Sequence, residues 1–153
     1  MTVTAQSPKI PEVKKALIIG VGAENGLGAS VSLRFARRRL PRGGRLLFTG
    51  ASASLRGRAG FAAFNSAKAA LPTLAQAMAK KLGPKGLHVG HVIVDGGIDG
   101  DKLRKGRPEL VETMGEARLI ELGGLADAYW FLHQQPPRAW TFELDVRSKV
   151  EPW

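Results

Sequence analysis

The sequence contains no cysteine, a single tyrosine and no long apolar run. Without cysteine, the protein can form neither disulfide bonds nor thiolate metal sites. Its three histidines, His88, His91 and His133, lack the spacing of a metal-binding set, so we expect no bound metal. The apolar runs are far too short to cross a membrane, and residues 1–13 lack the apolar core of a signal peptide. These absences favour a cytoplasmic protein without a membrane segment.

Acidic residues are also few. Thirteen Asp and Glu against 23 Lys and Arg give a formal net charge of +10. Such a charge permits attraction to nucleic acid, to acidic surfaces or to phosphorylated ligands. Nucleic acid is the least favoured of these partners, because the sequence has no recognised nucleic-acid motif and no basic stretch interleaved with aromatic residues.

The length and the order of the apolar runs predict one α/β domain. The 153 residues suffice for a single buried core, with residues 1–12 as a flexible lead-in and residues 13–153 as the domain. Short apolar runs alternate with helical patterns, which is typical of a parallel sheet flanked by helices. The expected sheet is reduced to about four strands, ordered as they follow along the chain. The predicted strands are Lys14–Gly20, Arg45–Thr49, Leu87–Val94 and Trp140–Val146.

Helical patterns lie between and after these strands. Pro72 falls inside one of them and is expected to kink that helix or to force a restart, because proline has no backbone N–H to donate. The predicted helices are Gly26–Arg39, Ala62–Leu82, a segment from about Pro108, and Leu125–Gln134.

A glycine-rich turn joins the first predicted strand to the first predicted helix. Such a turn can cradle a pyrophosphate, because glycines allow close approach and the helix N-terminus presents free N–H groups. The spacing Gly22-x-x-x-Gly26-x-Gly28 departs from the strict G-x-G-x-x-G string, since Asn25 stands where its third glycine would fall. A turn that is glycine-rich only for tight packing remains the alternative.

Three segments together resemble the short-chain dehydrogenase/reductase family. They are the Gly22–Gly28 loop, the stretch Phe48–Gly57 leading to Phe64–Leu71, and the loop Asp95–Asp99. The resemblance implies a Rossmann-like three-layer fold that binds NAD or NADP at the carboxyl ends of its strands. It also implies hydride transfer between a carbonyl and an alcohol on a small substrate.

The resemblance further implies roles for individual positions. Lys68 would hold the nicotinamide ribose, Ser52 is the remaining catalytic candidate, and Phe64 stands where the family has its catalytic tyrosine. The residues implied to contact the cofactor are Gly22, Ala23, Asn25, Gly26, Leu27, Gly28, Lys68, Gly97 and Ile98.

Two departures weaken the catalytic part of the resemblance. Phe64 has no proton to exchange, and loss of a general acid typically costs about 10²–10⁴-fold in rate. The family's serine position, counted back from Phe64, falls on Ala51, so Ser52 is one residue late and Ser54 three. Small residues that merely allow a tight turn explain this loop equally well. The single tyrosine, Tyr129, fits a packing role better than that of a displaced acid.

The chain is also short for this family. The run Arg37–Arg39 leads directly into Leu40–Gly44, which resembles the segment before the serine-bearing strand, so we expect an internal deletion. Losing central strands would leave a sheet edge open, and an open edge favours a homo-oligomer such as a dimer.

The arginines near this junction bear on the choice of cofactor. Guanidinium pairs well with phosphate, so these residues favour NADP over NAD, although a solvated cationic helix end is the competing interpretation. They are Arg34, Arg37, Arg38, Arg39, Arg42 and Arg45. The sequence therefore predicts an NAD(P)-dependent oxidoreductase with impaired catalysis. The alternative is a non-catalytic dinucleotide-binding or protein-interaction module derived from such an enzyme.

Overall fold

The computed structural model describes residues 26–27 and 44–151 of the chain. Short 3₁₀ turns cover Ser52–Ser54, Gly83–Lys85 and Glu116–Arg118. The strands and helices of the described part are β1 (Arg45–Thr49), α1 (Ala62–Leu82), β2 (His88–Asp95), β3 (Gly97–Ile98), α2 (Asp101–Gly106), α3 (Pro108–Met114), β4 (Leu119–Ile120), α4 (Leu122–Gln134) and β5 (Glu143–Arg147).

The main sheet is parallel, with the order β1-β2-β5. Leu46 of β1 lies opposite Val89 of β2, and Val92 of β2 lies opposite Leu144 of β5. Every residue of β2 is buried, as expected for a continuous apolar run at the centre of a parallel sheet. The predicted α/β class and strand order are confirmed for these three strands. The predicted strand Lys14–Gly20 lies outside the described residues.

The core lies between the main sheet and α4. Val92 and Val94 share one face of β2, because side chains alternate along a strand, and they pack against Leu125 and Tyr129 of α4. Burying one large apolar side chain typically stabilises a fold by about 1.5–3 kcal/mol. Helix α1 also packs against β2, so β2 is covered by helices as well as by its neighbouring strands.

A second, two-stranded sheet extends beyond the end of β2. Gly97 lies opposite Leu119 and Ile98 opposite Ile120 in a parallel pair. The sequence does not predict β3 and β4, because strands of two residues leave no periodic pattern. The segment between β3 and β4 carries α2 and α3, and pairing of the two strands brings its two ends together. This segment begins beside the carboxyl end of β2.

Helix α1 has its predicted bounds and runs without a break through Pro72, so the alternative of a helical restart is wrong. The bounds of β2, α4 and β5 differ from the predicted ones, and β2 is shifted by one residue at each end. Helix α4 begins at Leu122 rather than at Leu125. Strand β5 begins at Glu143 rather than at Trp140, because the Gln135 side chain accepts from the Thr141 backbone N–H at 2.8 Å and so uses a group that a strand would need. Within the described ranges, no helix is long and apolar enough to span a bilayer.

Candidate cofactor and catalytic site

The candidate site lies at the carboxyl edge of the main sheet. Thr49 ends β1, Asp95 ends β2 and Arg147 ends β5, and because the strands are parallel these residues meet at one edge. In open α/β sheets, ligands bind outside this edge. The loops that follow β1 and β2 carry Ser52 and Gly97, so they start from the same edge.

Lys68 projects from α1 to the end of β1. Its Nζ atom donates to the backbone oxygen of Thr49 at 3.1 Å, and its side chain is half-buried. An ammonium group has three donors and no acceptor. Among the described residues Thr49 takes one of these donors, and the other two suit the hydroxyl oxygens of a ribose.

Phe64 lies one helical turn before Lys68, on the same face of α1. The Lys68 Nζ atom is 5.9 Å from the centroid of the Phe64 ring, within the range of a cation–π contact. Half of the Phe64 residue surface is exposed (50%). The expectation that Phe64 and Lys68 face the same way is confirmed. A phenyl ring offers the site an apolar surface but no proton.

The two candidate serines sit in the 3₁₀ turn that follows β1. The Ser54 hydroxyl donates to the backbone oxygen of Ala51 at 2.7 Å, so its proton is committed within the turn. The Ser52 hydroxyl makes no hydrogen bond with the described residues, while the Ser52 backbone oxygen accepts from Leu55 and Arg56. Within the part of the chain that the structure describes, Ser52 is therefore the better candidate of the two serines for contact with a substrate.

Gly97 and Ile98 form β3, beside the end of β2. A Cβ atom added to Gly97 would lie 3.0 Å from the side chains of Leu103 and Met114, so this glycine lets α2 and α3 close over the strand. Ile98 packs against the main core. Both residues lie beside the carboxyl edge and both have a packing role, while their predicted contact with the cofactor stays a prediction.

The glycine turn is only partly within the described residues. Gly26 and Leu27 are half-buried, and Leu27 packs against the main core. The other predicted pyrophosphate contacts, Gly22, Ala23, Asn25 and Gly28, lie outside the described ranges and stay predictions. The same holds for Arg34, Arg37, Arg38, Arg39 and Arg42.

Arg45 is described, and it does not face the candidate site. As the first residue of β1 it lies at the amino edge of the sheet. Its Nε atom donates to the backbone oxygen of His133 at 2.8 Å, and its Nη2 atom to that of Gln135 at 3.2 Å. Arg45 therefore ties β1 to the end of α4, and we withdraw it from the arginines proposed to meet an NADP phosphate.

Asp95 and two arginines form an ionic cluster that the sequence pattern does not predict. The Asp95 side chain is only 3% exposed and lies 3.3 Å from Arg56 Nη2 and 3.4 Å from Arg147 Nη1. Arg147 also pairs with Asp145 at 2.6 Å. The one signal in the sequence is a carboxylate that directly ends an apolar run, since a buried charge needs a partner.

Tyr129 and the histidines belong to the interior. The Tyr129 hydroxyl is hydrogen-bonded to the Thr49 hydroxyl, and burial raises the pKa of Tyr129, so the phenol stays protonated within the core. His88 and His91 are fully buried. In residues 26–27 and 44–151, no group of three or more histidine or acidic side chains could hold a metal ion.

Comparison with protein-family models and with curated sequences gives no match. Solved structures do match. A short-chain dehydrogenase from Rhodopseudomonas palustris is 38% identical over 79% of this chain and 45% of its own, with a TM-score of 0.51. This chain belongs to the short-chain dehydrogenase/reductase family. Its predicted Rossmann-like α/β fold is thereby confirmed.

Two further family structures carry bound dinucleotides. A 7α-hydroxysteroid dehydrogenase complexed with NADH and 7-oxo glycochenodeoxycholic acid is 27% identical over 72% of this chain and 46% of its own, with a TM-score of 0.58. A short-chain dehydrogenase from Burkholderia cenocepacia J2315 in complex with NADP is 25% identical over 78% of this chain and 53% of its own, with a TM-score of 0.55. This short-chain dehydrogenase/reductase chain thus spans about half the length of the structures it matches.

Proposed function

We propose that the protein binds a nicotinamide dinucleotide at the carboxyl edge of its sheet and acts as an NAD(P)-dependent oxidoreductase with low catalytic power. The observation that carries the proposal is the position of Lys68, whose Nζ atom is held at the end of β1 by Thr49 with donors to spare. Family structures complexed with NADH and with NADP support the choice of ligand.

Each residue of the site has a stated task in this proposal. Lys68 holds the nicotinamide ribose, and the glycine loop around Gly26 holds the pyrophosphate. When bound, the reduced dinucleotide supplies the hydride for a carbonyl carbon. Ser52 orients the carbonyl oxygen with its hydroxyl. Phe64 covers the site with an apolar ring.

The proton balance explains the low catalytic power. Reduction of a carbonyl needs one hydride and one proton, and a phenol at position 64 would be placed to give that proton. Phe64 cannot give it, so the proton comes from water or through Ser52. The missing general acid is expected to lower the rate by about 10²–10⁴-fold.

Phe64 also favours a second candidate function. A chain that binds the dinucleotide but has lost its acid can persist as a non-catalytic dinucleotide-binding or protein-interaction module. The two candidates differ in turnover. Measurable oxidation of NADPH or NADH by the unmodified protein with any member of a carbonyl panel rejects the module.

Self-association is part of the proposal. The internal deletion expected from the sequence removes central strands of the family's sheet and would leave one edge of the sheet open. An open edge invites pairing with another chain. We expect a dimer by light scattering across a concentration series, and a monomer at every concentration would reject this part of the proposal.

Calorimetric titration with NADPH and NADH tests the binding proposal. The matched pair of variants is Lys68→Met and Lys81→Met, which remove the same charge from the site and from the exposed end of α1. We expect saturable binding that Lys68→Met weakens and Lys81→Met does not. Absence of binding to both dinucleotides would overturn the proposal, and equal weakening by both variants would show attraction by net charge alone.

A preference for NADPH in the same titration would support the arginines before Gly44 as its source. Equal binding of NADPH and NADH would remove that part of the proposal. The internal deletion near Leu40–Gly44 lies mostly outside the described residues and stays a prediction.

A further inference from the structure

We propose that Arg56 recognises a single anionic group, a carboxylate, on the substrate. The inference rests on the proposed function, because it names the class of carbonyl compound that the site accepts. It predicts short oxo acids as substrates, in preference to neutral carbonyl compounds of the same size.

The first argument is the exposure of Arg56. Its side chain is half-exposed (50%) beside an Asp95 side chain that is almost fully buried. Only the Nη2 atom faces Asp95, at 3.3 and 3.4 Å from the two carboxylate oxygens. A guanidinium has five N–H donors. The donors on Nε and Nη1 have no hydrogen-bond partner among the described residues, and half of the Arg56 side chain is exposed.

The second argument is that Asp95 orients this free edge. Asp95 cannot leave the sheet edge, because it ends β2 and its carboxylate also lies 3.4 Å from Arg147 Nη1. A buried carboxylate that accepts hydrogen bonds from one end of a guanidinium limits the rotamers that the arginine side chain can adopt. Ordering before binding lowers the entropy cost of holding a ligand. Arg56 is therefore a partly pre-organised anion receptor rather than a freely rotating surface cation.

The third argument is proximity to Ser52. The two residues stand at the two ends of one turn, since the Arg56 backbone N–H donates to the Ser52 backbone oxygen at 3.2 Å. A substrate whose carbonyl oxygen meets the Ser52 hydroxyl has Arg56 on the same loop. Because both residues belong to one short turn, the proposal predicts a substrate in which only a few carbon atoms separate the carbonyl from the anionic group.

The charge of the cluster selects the kind of anion. Arg56 and Arg147 balance Asp95 and Asp145. A carboxylate adds one negative charge near Asp95, whereas a phosphate dianion adds two and meets more repulsion. The planar fork of an arginine matches a carboxylate with two parallel hydrogen bonds. We therefore assign the free edge of Arg56 to a carboxylate.

The test compares oxo acids with their esters. Pyruvate, acetoacetate and levulinate are each titrated into the full chain beside their methyl esters, with binding followed by ligand-observed NMR. The variants are Arg56→Gln and Arg58→Gln. Arg58→Gln is the matched control, because this substitution removes the same charge from the same loop. The Arg58 guanidinium lies over the Phe61 ring, 5.1 Å from the ring centroid.

We expect at least one acid to bind more tightly than its ester, and Arg56→Gln to weaken that acid about tenfold while leaving the ester unchanged. Arg58→Gln should change neither. No preference for any acid in the unmodified protein would overturn the inference. Equal weakening by the two variants would also overturn it, because diffuse positive charge would then explain the binding.

A second variant guards against loss of folding. Arg56→Lys keeps the charge that balances Asp95 but loses the fork, so it should fold and still bind the acid less tightly than the unmodified protein. An unchanged acid affinity in Arg56→Lys would reject recognition by the fork. Titration of the same proteins with NADPH separates the two proposals. If the unmodified protein does not bind the dinucleotide, the proposed function is rejected. If it binds the dinucleotide but prefers no acid over its ester, only the role of Arg56 is rejected.

Discussion

The Nζ atom of Lys68 lies 5.9 Å from the centroid of the Phe64 ring, on the same side of α1. The same Nζ atom donates to Thr49 at the end of β1, so the ammonium group is held between the helix and the sheet. A phenol placed on that ring would have a fixed positive charge beside it. Such a charge favours the ionised form and lowers the pKa of a phenol.

The substitution Phe64→Tyr is expected to restore the missing acid. We expect carbonyl reduction to rise on the order of 10²-fold or more, because general acid catalysis contributes that much. The measurement is NADPH oxidation across a carbonyl panel. The control is Phe61→Tyr, which adds the same hydroxyl to a similarly exposed ring (47%) just before α1. Equal rates in the two variants would contradict the assignment of position 64.

Gly50→Ala tests the contact between the β1 loop and the central strand. A Cβ atom at residue 50 would lie 2.2 Å from Nε2 of His91, and His91 is fully buried with its Nδ1 atom 2.9 Å from Glu143. Overpacking of this kind typically costs about 1–3 kcal/mol. We expect a loss of that size in the free energy of unfolding, measured by urea denaturation.

The control for Gly50→Ala is Gly83→Ala. Nothing lies within 4 Å of a Cβ atom at residue 83, and its backbone is helical, with φ −53. Alanine there should leave stability unchanged or raise it by up to about 1 kcal/mol. A Gly50→Ala variant as stable as the parent would show that His91 does not pack against residue 50.

His133 is expected to make the fold sensitive to acid. Burial lowers the pKa of His133 to about 4 from 6.5, and the positive charge of Arg45 adds to the effect. Protonation therefore favours the unfolded chain. The stability contributed by the neutral imidazole is complete above pH 6.5 and is lost as the pH falls from 6.5 to about 4. The loss is about 3 kcal/mol at most.

The measurement is urea denaturation at about pH 7 and about pH 4.5. In His133→Phe, the difference in unfolding free energy between the two conditions should be smaller than in the parent. The carboxylates titrate in both proteins, so the comparison isolates His133. An equal pH difference in both would show that folding does not lower the pKa of His133.

Arg104 is expected to restrain the segment between β3 and β4. It pairs with Asp99 at one end of this segment and with Glu116 near the other end, and the hydrogen bonds to Glu116 are 3.0 and 2.7 Å long. These contacts lower the pKa of both carboxyl groups. Because Arg104 is 40% exposed and exposed ion pairs contribute little to stability, we expect Arg104→Met to leave global stability nearly unchanged.

Local opening should nevertheless increase in Arg104→Met. We expect faster amide hydrogen exchange across α2 and α3, while β2 keeps its protection. Arg107→Met is the control, because Arg107 is an exposed cation between the same two helices. Unchanged exchange in α2 and α3 would show that the arginine does not restrain this part of the chain.

The elements with strong local signals were predicted closely. Strand β1 has the predicted bounds Arg45–Thr49, because its apolar run lies between glycines. Helix α1 has the predicted bounds Ala62–Leu82, because its helix-forming residues are followed by Gly83 and Pro84. Strand β2 differs from its predicted range by one residue at each end. These signals lie within the segments themselves and do not depend on tertiary contacts.

Elements that depend on distant partners were missed or shifted. The β3–β4 pair joins residues more than 20 positions apart, and β5 starts late because Gln135 binds Thr141. Arg45 carries the same charge as the arginines before it, yet at the amino edge of the sheet it donates to a backbone carbonyl oxygen of α4. Charge alone could not distinguish an arginine that binds the backbone from one that binds a phosphate.

The sequence by itself determined the α/β class and the placement of Phe64 and Lys68 on one helical face, because helix and strand periodicities are local properties. The three described strands of the main sheet also lie in the predicted order. The tertiary structure decided which polar groups meet. It brought Lys68 to the end of β1, and it joined Arg56 to Asp95 across 39 positions of the chain. The physical reason is that parallel strands gather their carboxyl ends at one edge, where residues far apart in the sequence become neighbours.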